Sequence, residues 1–287
     1  MDYAKELNRM YDQYYCGPNG HCKYWEKCKE GLLENIYPCK FFSDRVKIGE
    51  RYGTNPLLPK IVFVGLEGVH EGYKHNPIPA IDYSNPISVP SRDASNNHYR
   101  GVRYVLAYLM AQFTDGKNNC PEDASIGKLE EVQDSQYLDQ YCLTNIYKCA
   151  FGSGTTGLPH TKEMQQNCIE ILLEELKILE PDILVIQVVT GRPTQLWSAL
   201  MNKFSGSDIP LCQAKRNKNT SVYRLNRDGT PFYCVWTYHG NGGPYPYKRG
   251  GVFVNNNEYI SRELNPVLDE TARLLRADRV YTKEVCQ

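Results

Sequence analysis

Apolar and polar residues alternate along the chain in blocks that read as strands separated by helices. Ile61-Val62-Phe63-Val64-Gly65, Tyr141-Cys142-Leu143-Thr144-Asn145 and Asp182-Ile183-Leu184-Val185-Ile186-Gln187 are short runs rich in β-branched or aromatic residues. Such near-continuous apolar stretches suit strands covered on both faces. Val46–Ile48 reads as a short edge strand before the turn Gly53-Thr54-Asn55-Pro56, and Ser221–Leu225 with Phe232–Thr237 as a β-ribbon. Between them the period changes. Val102, Val105, Leu106 and Leu109 share one face of a predicted helix over 101–113, and further helices are predicted over 162–179, 192–204 and 258–275. Pro181 stops the helix over 162–179. Residues 71–97, with Pro77, Pro79, Pro86 and Pro90, read as a long polar loop, and 115–135 and 150–161 as shorter ones. The alternation predicts an α/β fold, a three-layer α/β/α sandwich around a mostly parallel central sheet. With no internal repeat and no linker, residues 1–287 are expected to form a single domain, of which 1–40 are a helical, cysteine-bearing N-terminal segment.

Composition narrows the setting. The chain has 287 residues, 41% of them hydrophobic, enough for a sizeable core. No apolar run approaches the ~20 residues that cross a bilayer, and the first residues lack a secretory apolar region. The expectation is a cytoplasmic protein without a membrane or an evident protein partner, working as a monomer. Lys and Arg total 33, as do Asp and Glu, so any nucleic-acid contact must come from local basic patches. The 22 tyrosines suit either base stacking or core and surface packing, chiefly the latter.

Eleven cysteines in such a chain call for an explanation other than disulfides. Cys120, Cys142, Cys212, Cys234 and Cys286 stand alone, Cys142 and Cys234 inside apolar strands as small core residues. Cys16, Cys22, Cys28 and Cys39 crowd the first forty residues, Cys149 follows the strand ending at Asn145, and Cys168 begins a helix. Two thiol groups far apart in sequence suit a metal or cluster that pins the N-terminal segment to the rest. An iron–sulfur centre takes about four thiolates, as does a structural zinc.

Three strands end in polar equipment. Gly65-Leu66-Glu67-Gly68-Val69-His70 follows the first, Asn145 closes the second, and His239 follows the ribbon strand. Open α/β sheets hold their ligands at the carboxyl ends of strands, so an acid, an amide and a histidine placed there are the candidate chemistry. In order and motif, residues 28 to 250 resemble the uracil-DNA glycosylase superfamily, most closely its branch with a four-iron cluster. Gly65-Leu66-Glu67-Gly68-Val69-His70 is similar to that superfamily's first motif, Gly-Gln-Asp-Pro-Tyr-His in its best-known branch. Leu143-Thr144-Asn145-Ile146-Tyr147-Lys148-Cys149 is similar to Thr-Asn-Val-Val-Lys-Cys of the cluster branch, where a later cysteine also opens a helix. His239 stands where the last motif reads His-Pro-Ser. The chain departs from the pattern at Leu66, where the cluster branch has its glutamate, at Gly68, at Gly240-Asn241, and in lacking an N-terminal Cys-x-x-Cys.

The resemblance implies a monofunctional DNA glycosylase, a hydrolase cutting the N-glycosidic bond of a flipped-out uracil or modified pyrimidine, including a bulky hypermodified cytosine of phage DNA. Glu67 and His239 are then catalytic, the acid beside C1′ and the imidazole at O2 of the departing base. Asn145, Tyr99, Gly65, Gly68 and His70 bind the substrate, with Tyr83 and Tyr73 as alternatives to Tyr99 for stacking. Arg100, Lys248 and Arg249 contact DNA phosphates. Cys28, Cys39, Cys149 and Cys168 hold a [4Fe–4S] cluster, or alternatively a zinc ion, with Cys22 and Cys16 competing for the place of Cys28. Each polar residue also has a structural reading, as a turn tie, a cap or a solvated charge. A second functional class is a non-catalytic or crosslinking DNA-binding module of the same fold that senses abasic sites.

Overall fold

A computed structural model describes residues 1–16, 21–28, 38–42, 46–65, 97–113, 139–151, 162–188, 194–216, 218–238 and 259–285. In chain order the elements are α1 (Tyr3–Asp12), β1 (Tyr15–Cys16), β2 (His21–Cys22), α2 (Trp25–Cys28), β3 (Pro38–Phe42), β4 (Lys47–Ile48), β5 (Ile61–Gly65), α3 (Asn97–Ala111), β6 (Tyr141–Asn145), β7 (Cys149–Phe151), α4 (Lys162–Leu179), β8 (Ile183–Val188), α5 (Thr194–Phe204), β9 (Cys212–Gln213), β10 (Ser221–Arg227), β11 (Thr230–Tyr238) and α6 (Asn265–Val285). A π-turn over Ile260–Leu264 leads into α6. The fold is α/β.

A seven-stranded mixed sheet runs β4-β6-β5-β8-β11-β10-β9. Its centre is parallel. Ile146 N–H donates to Gly65 O where β5 and β6 end (2.9 Å), Ile183 N–H donates to Lys60 O where β5 and β8 begin (3.1 Å), and β8 pairs in parallel with β11 from Ile183↔Tyr233 to Val188↔Tyr238. The flanks are antiparallel: Gly49 N–H donates to Tyr141 O and Arg51 N–H to Asp139 O, while β10 pairs with both β11 and β9. The strands predicted over 61–65, 141–145 and 182–187 are buried except at Asn145 and Asp182, which are partly covered. Ile61, Val62, Phe63, Val64, Ile183, Leu184, Val185 and Ile186 are fully inaccessible, as strands of a parallel sheet covered on both faces must be. The ribbon turns through Asp228 (φ 50°) and Gly229 (φ 87°), a two-residue connection with both dihedrals positive whose twist matches the flanking strands.

Compact packing divides the chain into two units, Met1–Lys47, Val64–Ile87 and Leu143–Glu180 forming one, and Ile48–Phe63, Ser88–Cys142 and Pro181–Gln287 the other. In the second, α6 packs on β9, β10 and β11 and against α3. Hydroxyls do much of the fastening: Tyr104 donates to Asn265 Oδ1 (2.7 Å), Tyr108 to Asp269 Oδ1 (2.8 Å) and Tyr233 to Asp278 Oδ2 (2.5 Å). Tyr104, Tyr141, Tyr223, Tyr233, Tyr238 and Tyr259 are almost wholly buried, so these serve packing, as expected of most tyrosines here. Cys142 and Cys234 are likewise core residues. Asp182 ties three segments, accepting from Lys60 N–H (2.7 Å) and from the Arg279 guanidinium (2.9 Å), which also reaches the carbonyls of Leu57 and Leu58.

In the first unit, Asp2 caps α1 by accepting from Lys5 N–H at 3.0 Å. The N-terminal segment is helical over α1 and α2 but also holds strands, which the sequence reading did not anticipate: β1, β2, β3 and β7 make a small sheet in that order. The four predicted helix-face residues of α3, Val102, Val105, Leu106 and Leu109, are all buried. The predicted 162–179 helix matches α4, and Glu180 (φ 49°) ends it in the left-handed conformation just before Pro181. The predicted 258–275 helix reaches Val285 as α6. The 71–96 part of the long loop, all of 115–135 and residues 152–161 lie outside the described residues. No described helix is long and apolar enough to cross a membrane.

Asp182→Ala strands the Lys60 amide and frees Arg279, so urea unfolding should show a loss of about 1–3 kcal/mol. Arg224→Ala breaks a half-exposed ion pair with Asp278 and should shift stability by no more than about 1 kcal/mol.

Candidate functional site

β5 and β6 end side by side. The Ile146 N–H···O Gly65 bond closes the ladder one residue beyond Asn145, so the chain leaves β5 toward Leu66-Glu67 next to the Asn145 side chain's strand. Alternation along β6 turns Thr144 and Asn145 to opposite faces. Thr144 is buried. Asn145 is only partly covered, and among the described residues its carboxamide has no hydrogen-bond partner. An amide free at the carboxyl end of a parallel strand is available to a ligand's donors and acceptors.

What fixes Asn145 lies behind it. Lys148 and Glu175 form an ion pair at 2.5 Å with both side chains fully buried. Taking both charges out of water costs several kcal/mol for each, and the attraction offsets that only when the remaining polar atoms are also satisfied. Here Lys148 Nζ also donates to Thr144 Oγ1 (2.6 Å), Thr144 Oγ1 donates to Glu175 Oε2 (2.8 Å), and Tyr11 OH donates to Glu175 Oε1 (2.7 Å). Tyr11 OH in turn accepts from Val46 N–H at 3.0 Å. The network binds α1, the lead into β4, β6 and α4 together. Sequence reasoning quoted Lys148 only as part of a motif and passed over Glu175 and Tyr11. One signal was present: Glu175 lies on the buried stripe of α4 with Ile171, Leu172, Leu176 and Leu179, where an acid needs a buried partner.

The thiols gather on the same unit. Cys168 lies in the second turn of α4 rather than at its start; it is buried and its sulfur accepts from Lys148 N–H at 3.5 Å, the amide just before Cys149. Cys28, closing α2, is half-buried and accepts from Asn167 Nδ2 at 3.4 Å, the residue just before Cys168. Burial pushes the Cys168 thiol up to about 12, against the pull of the Lys148 amide, and raises Cys28 too. Cys22 is buried, and it and Cys28 lie near enough to Cys168 for negative charge on either to raise it further. Cys39 lies on β3, which pairs with β7; Phe42 stands opposite Cys149 and Pro38 opposite Phe151. The side chains of Cys39, Cys149 and Cys16 lie outside the described residues. Among the described residues no three His, Cys, Asp or Glu side chains converge as around a single metal ion.

The remaining predicted residues divide as follows. Gly65 is the last residue of β5, and Tyr99 and Arg100 lie in the first turn of α3, their side chains not described. Tyr238 ends β11, and His239 follows it outside the described residues, as do Glu67, Gly68, His70, Lys248, Arg249 and the alternatives Tyr73 and Tyr83. The chain matches no known family model and no curated protein.

Removing one member of the buried pair strands the other. Lys148→Met should cost about 3–5 kcal/mol in chemical denaturation, and the double variant Lys148→Met/Glu175→Leu should cost much less than the two single changes added together.

Proposed function

We propose that the chain is a monofunctional DNA glycosylase that hydrolyses the N-glycosidic bond of an everted uracil or modified pyrimidine, leaving an abasic site. The observation that carries the reading is the Asn145 carboxamide on β6, which has no hydrogen-bond partner among the described residues and stands beside the end of β5, the strand that Leu66-Glu67 follow in sequence. The sheet order supports it as well. β6 lies to one side of β5 and β8 to the other, so the order reverses at β5, and ligands of open α/β sheets sit beyond the carboxyl end of the strand where it reverses. On this reading the sheet and helices form the three-layer sandwich of the glycosylases, and the protein works on DNA as a cytoplasmic monomer.

The chemistry follows from the residue types. Breaking the bond develops oxocarbenium character on the sugar and negative charge on the base. Glu67 as carboxylate counters the first and orients the attacking water; His239 donates to O2 of the base as the second grows. Asn145 matches a pyrimidine edge with one donor and one acceptor, and Tyr99 stacks on the base once it has left the duplex. Gly65 and Gly68 leave room beside the acid for a base larger than uracil. His70, Arg100, Lys248 and Arg249 neutralise phosphates and set register.

The thiols suit a [4Fe–4S] cluster held by Cys28, Cys39, Cys149 and Cys168. Two of these sulfurs already receive N–H donors, from the Lys148 amide and Asn167, the kind of bond that stabilises cluster thiolates. A cubane also holds its thiolates wider apart than one ion does. Bound there, it would cross-link α2, β3, β7 and α4 and take no part in bond cleavage.

Base release from oligonucleotides carrying uracil and from modified-phage DNA, scored as alkali-labile abasic sites, tests the reading; no release from either ends it. Glu67→Gln should slow release by at least about a hundredfold while leaving DNA binding, measured by fluorescence anisotropy, within about twofold. Protein purified without oxygen should be brown and carry about four irons per chain, and Cys168→Ser should lose most of that iron. A colourless protein holding zinc would replace the cluster with a zinc site.

A further inference from the structure

The connection between β9 and β10 is a basic hairpin. Lys215, Arg216 and Lys218 are exposed there, and between Asp208 and Asp228 the sequence holds no acid. In a chain of zero net charge that is a local excess of one sign. Strand register places it. Gln213 on β9 is opposite Ser221 on β10, and Ser221 is opposite Trp236 on β11, close to where that strand ends at Tyr238. β11 runs parallel to β8, so residues 214–220 lie at the carboxyl ends of both strands, the edge at which open α/β sheets hold their ligands. The hairpin is also braced. Ala214 N–H donates to Thr220 O (2.9 Å), the Gln213 carboxamide donates to Lys218 O (2.8 Å), and Asn219 Nδ2 donates to the Tyr238 hydroxyl (3.0 Å). Thr220 Oγ1 and Tyr259 OH share a buried hydrogen bond at 2.8 Å.

Other cations of the same unit are engaged within it. Arg51, Arg224, Arg273 and Arg279 each pair with a carboxylate, and Arg227 and Arg276 donate to backbone carbonyls. The ammonium groups of Lys215 and Lys218 do neither among the described residues. Like charges held on a braced turn repel one another, and a polyanion relieves that repulsion. We infer that the β9–β10 hairpin is a nucleic-acid-binding arm in which Lys215 and Lys218 neutralise backbone phosphates, with Arg216 adding to the positive field. From Lys215 to Asn219 the segment has no apolar side chain to enter a bilayer, whereas lysine and asparagine on a fixed turn suit phosphate oxygens. The inference rests on the DNA-directed reading for the kind of polyanion, and it adds a contact that reading lacks. Such contacts set the register of the duplex and carry no base information.

Fluorescence anisotropy of the full chain with a labelled DNA duplex lacking any target base, across about 50 to 200 mM NaCl, tests this. Lys215→Ala/Lys218→Ala should weaken binding at least about fivefold and reduce the slope of log affinity against log salt by about two. Lys215→Arg/Lys218→Arg should keep the wild-type slope, because charge is what the phosphates meet. Lys5→Ala/Lys177→Ala, which removes two exposed lysines of α1 and α4, should change the slope by less than about 0.5. An unchanged slope in the hairpin alanine variant, or an equal fall in the Lys5/Lys177 variant, overturns the arm and leaves the glycosylase reading standing. An arginine variant as weak as the alanine one overturns it too, because the role would then be structural. Wild type that binds no duplex also overturns the arm. A slope that falls as expected in a protein that releases no base upholds the arm while the glycosylase reading ends.

Discussion

The first unit is organised around two charges that water never reaches. Lys148 and Glu175 sit at 2.5 Å with no exposed side-chain surface, and such a pair survives only because hydroxyls complete it. Thr144 is at once acceptor for the ammonium and donor to the carboxylate, and Tyr11 fills the other carboxylate oxygen. The partners come from residues 11, 144, 148 and 175, so the pair forms only when the N-terminal helix, β6 and α4 have all docked. Its consequence for the candidate site is positional. With Thr144 and Lys148 both held, the backbone between them has little freedom, and Asn145 is presented on the opposite face of the strand.

The same segment links the amide to the thiols. Lys148 spends its ammonium on Glu175 and its backbone N–H on the Cys168 sulfur. Asn167, one residue before Cys168, holds Cys28. One buried lysine thus ties the proposed base-reading residue to the proposed metal ligands through four residues of chain. Apolar packing alone would not fix a polar side chain's direction so narrowly, since hydrophobic contacts are non-directional.

Much of this architecture was legible in the sequence, for a physical reason. β5, β6 and β8 are buried on both faces, so their apolar runs had no competing periodicity, and α4 carried a clear stripe closed by Pro181. The small sheet of β1, β2, β3 and β7 was not legible. β1 and β2 are two residues long, too short to show alternation, and their pairing is set by partners elsewhere in the chain. The extension of α6 past residue 275 was hidden too, because Arg276 and Arg279 look like solvated charge. They instead reach the Gln112, Leu57 and Leu58 carbonyls. For the site, strand ends drew attention to Asn145, but Glu175 reads as an ordinary surface acid until its helical face is counted. A missing partner leaves no mark in sequence.

Polar groups near the ends of the central strands show how a sheet can separate structural from functional polarity. Thr144 on β6 and Thr237 on β11 are buried and paired, one with the ion pair and the other with Tyr259. Asn145, one residue on from Thr144, and Gln187, in register with Thr237, carry carboxamides without a partner among the described residues. Threonine has a short, branched side chain with one hydroxyl, which a single neighbour can satisfy and hold. A carboxamide has more hydrogen-bonding capacity than one neighbour can meet, and it presents donor and acceptor together. At these strand ends the two threonine hydroxyls are met within the protein, while the two carboxamides have no partner among the described residues. Asn145 does this in a partly open position at little cost. Gln187 does it in the interior, where an unmet amide is unfavourable by more.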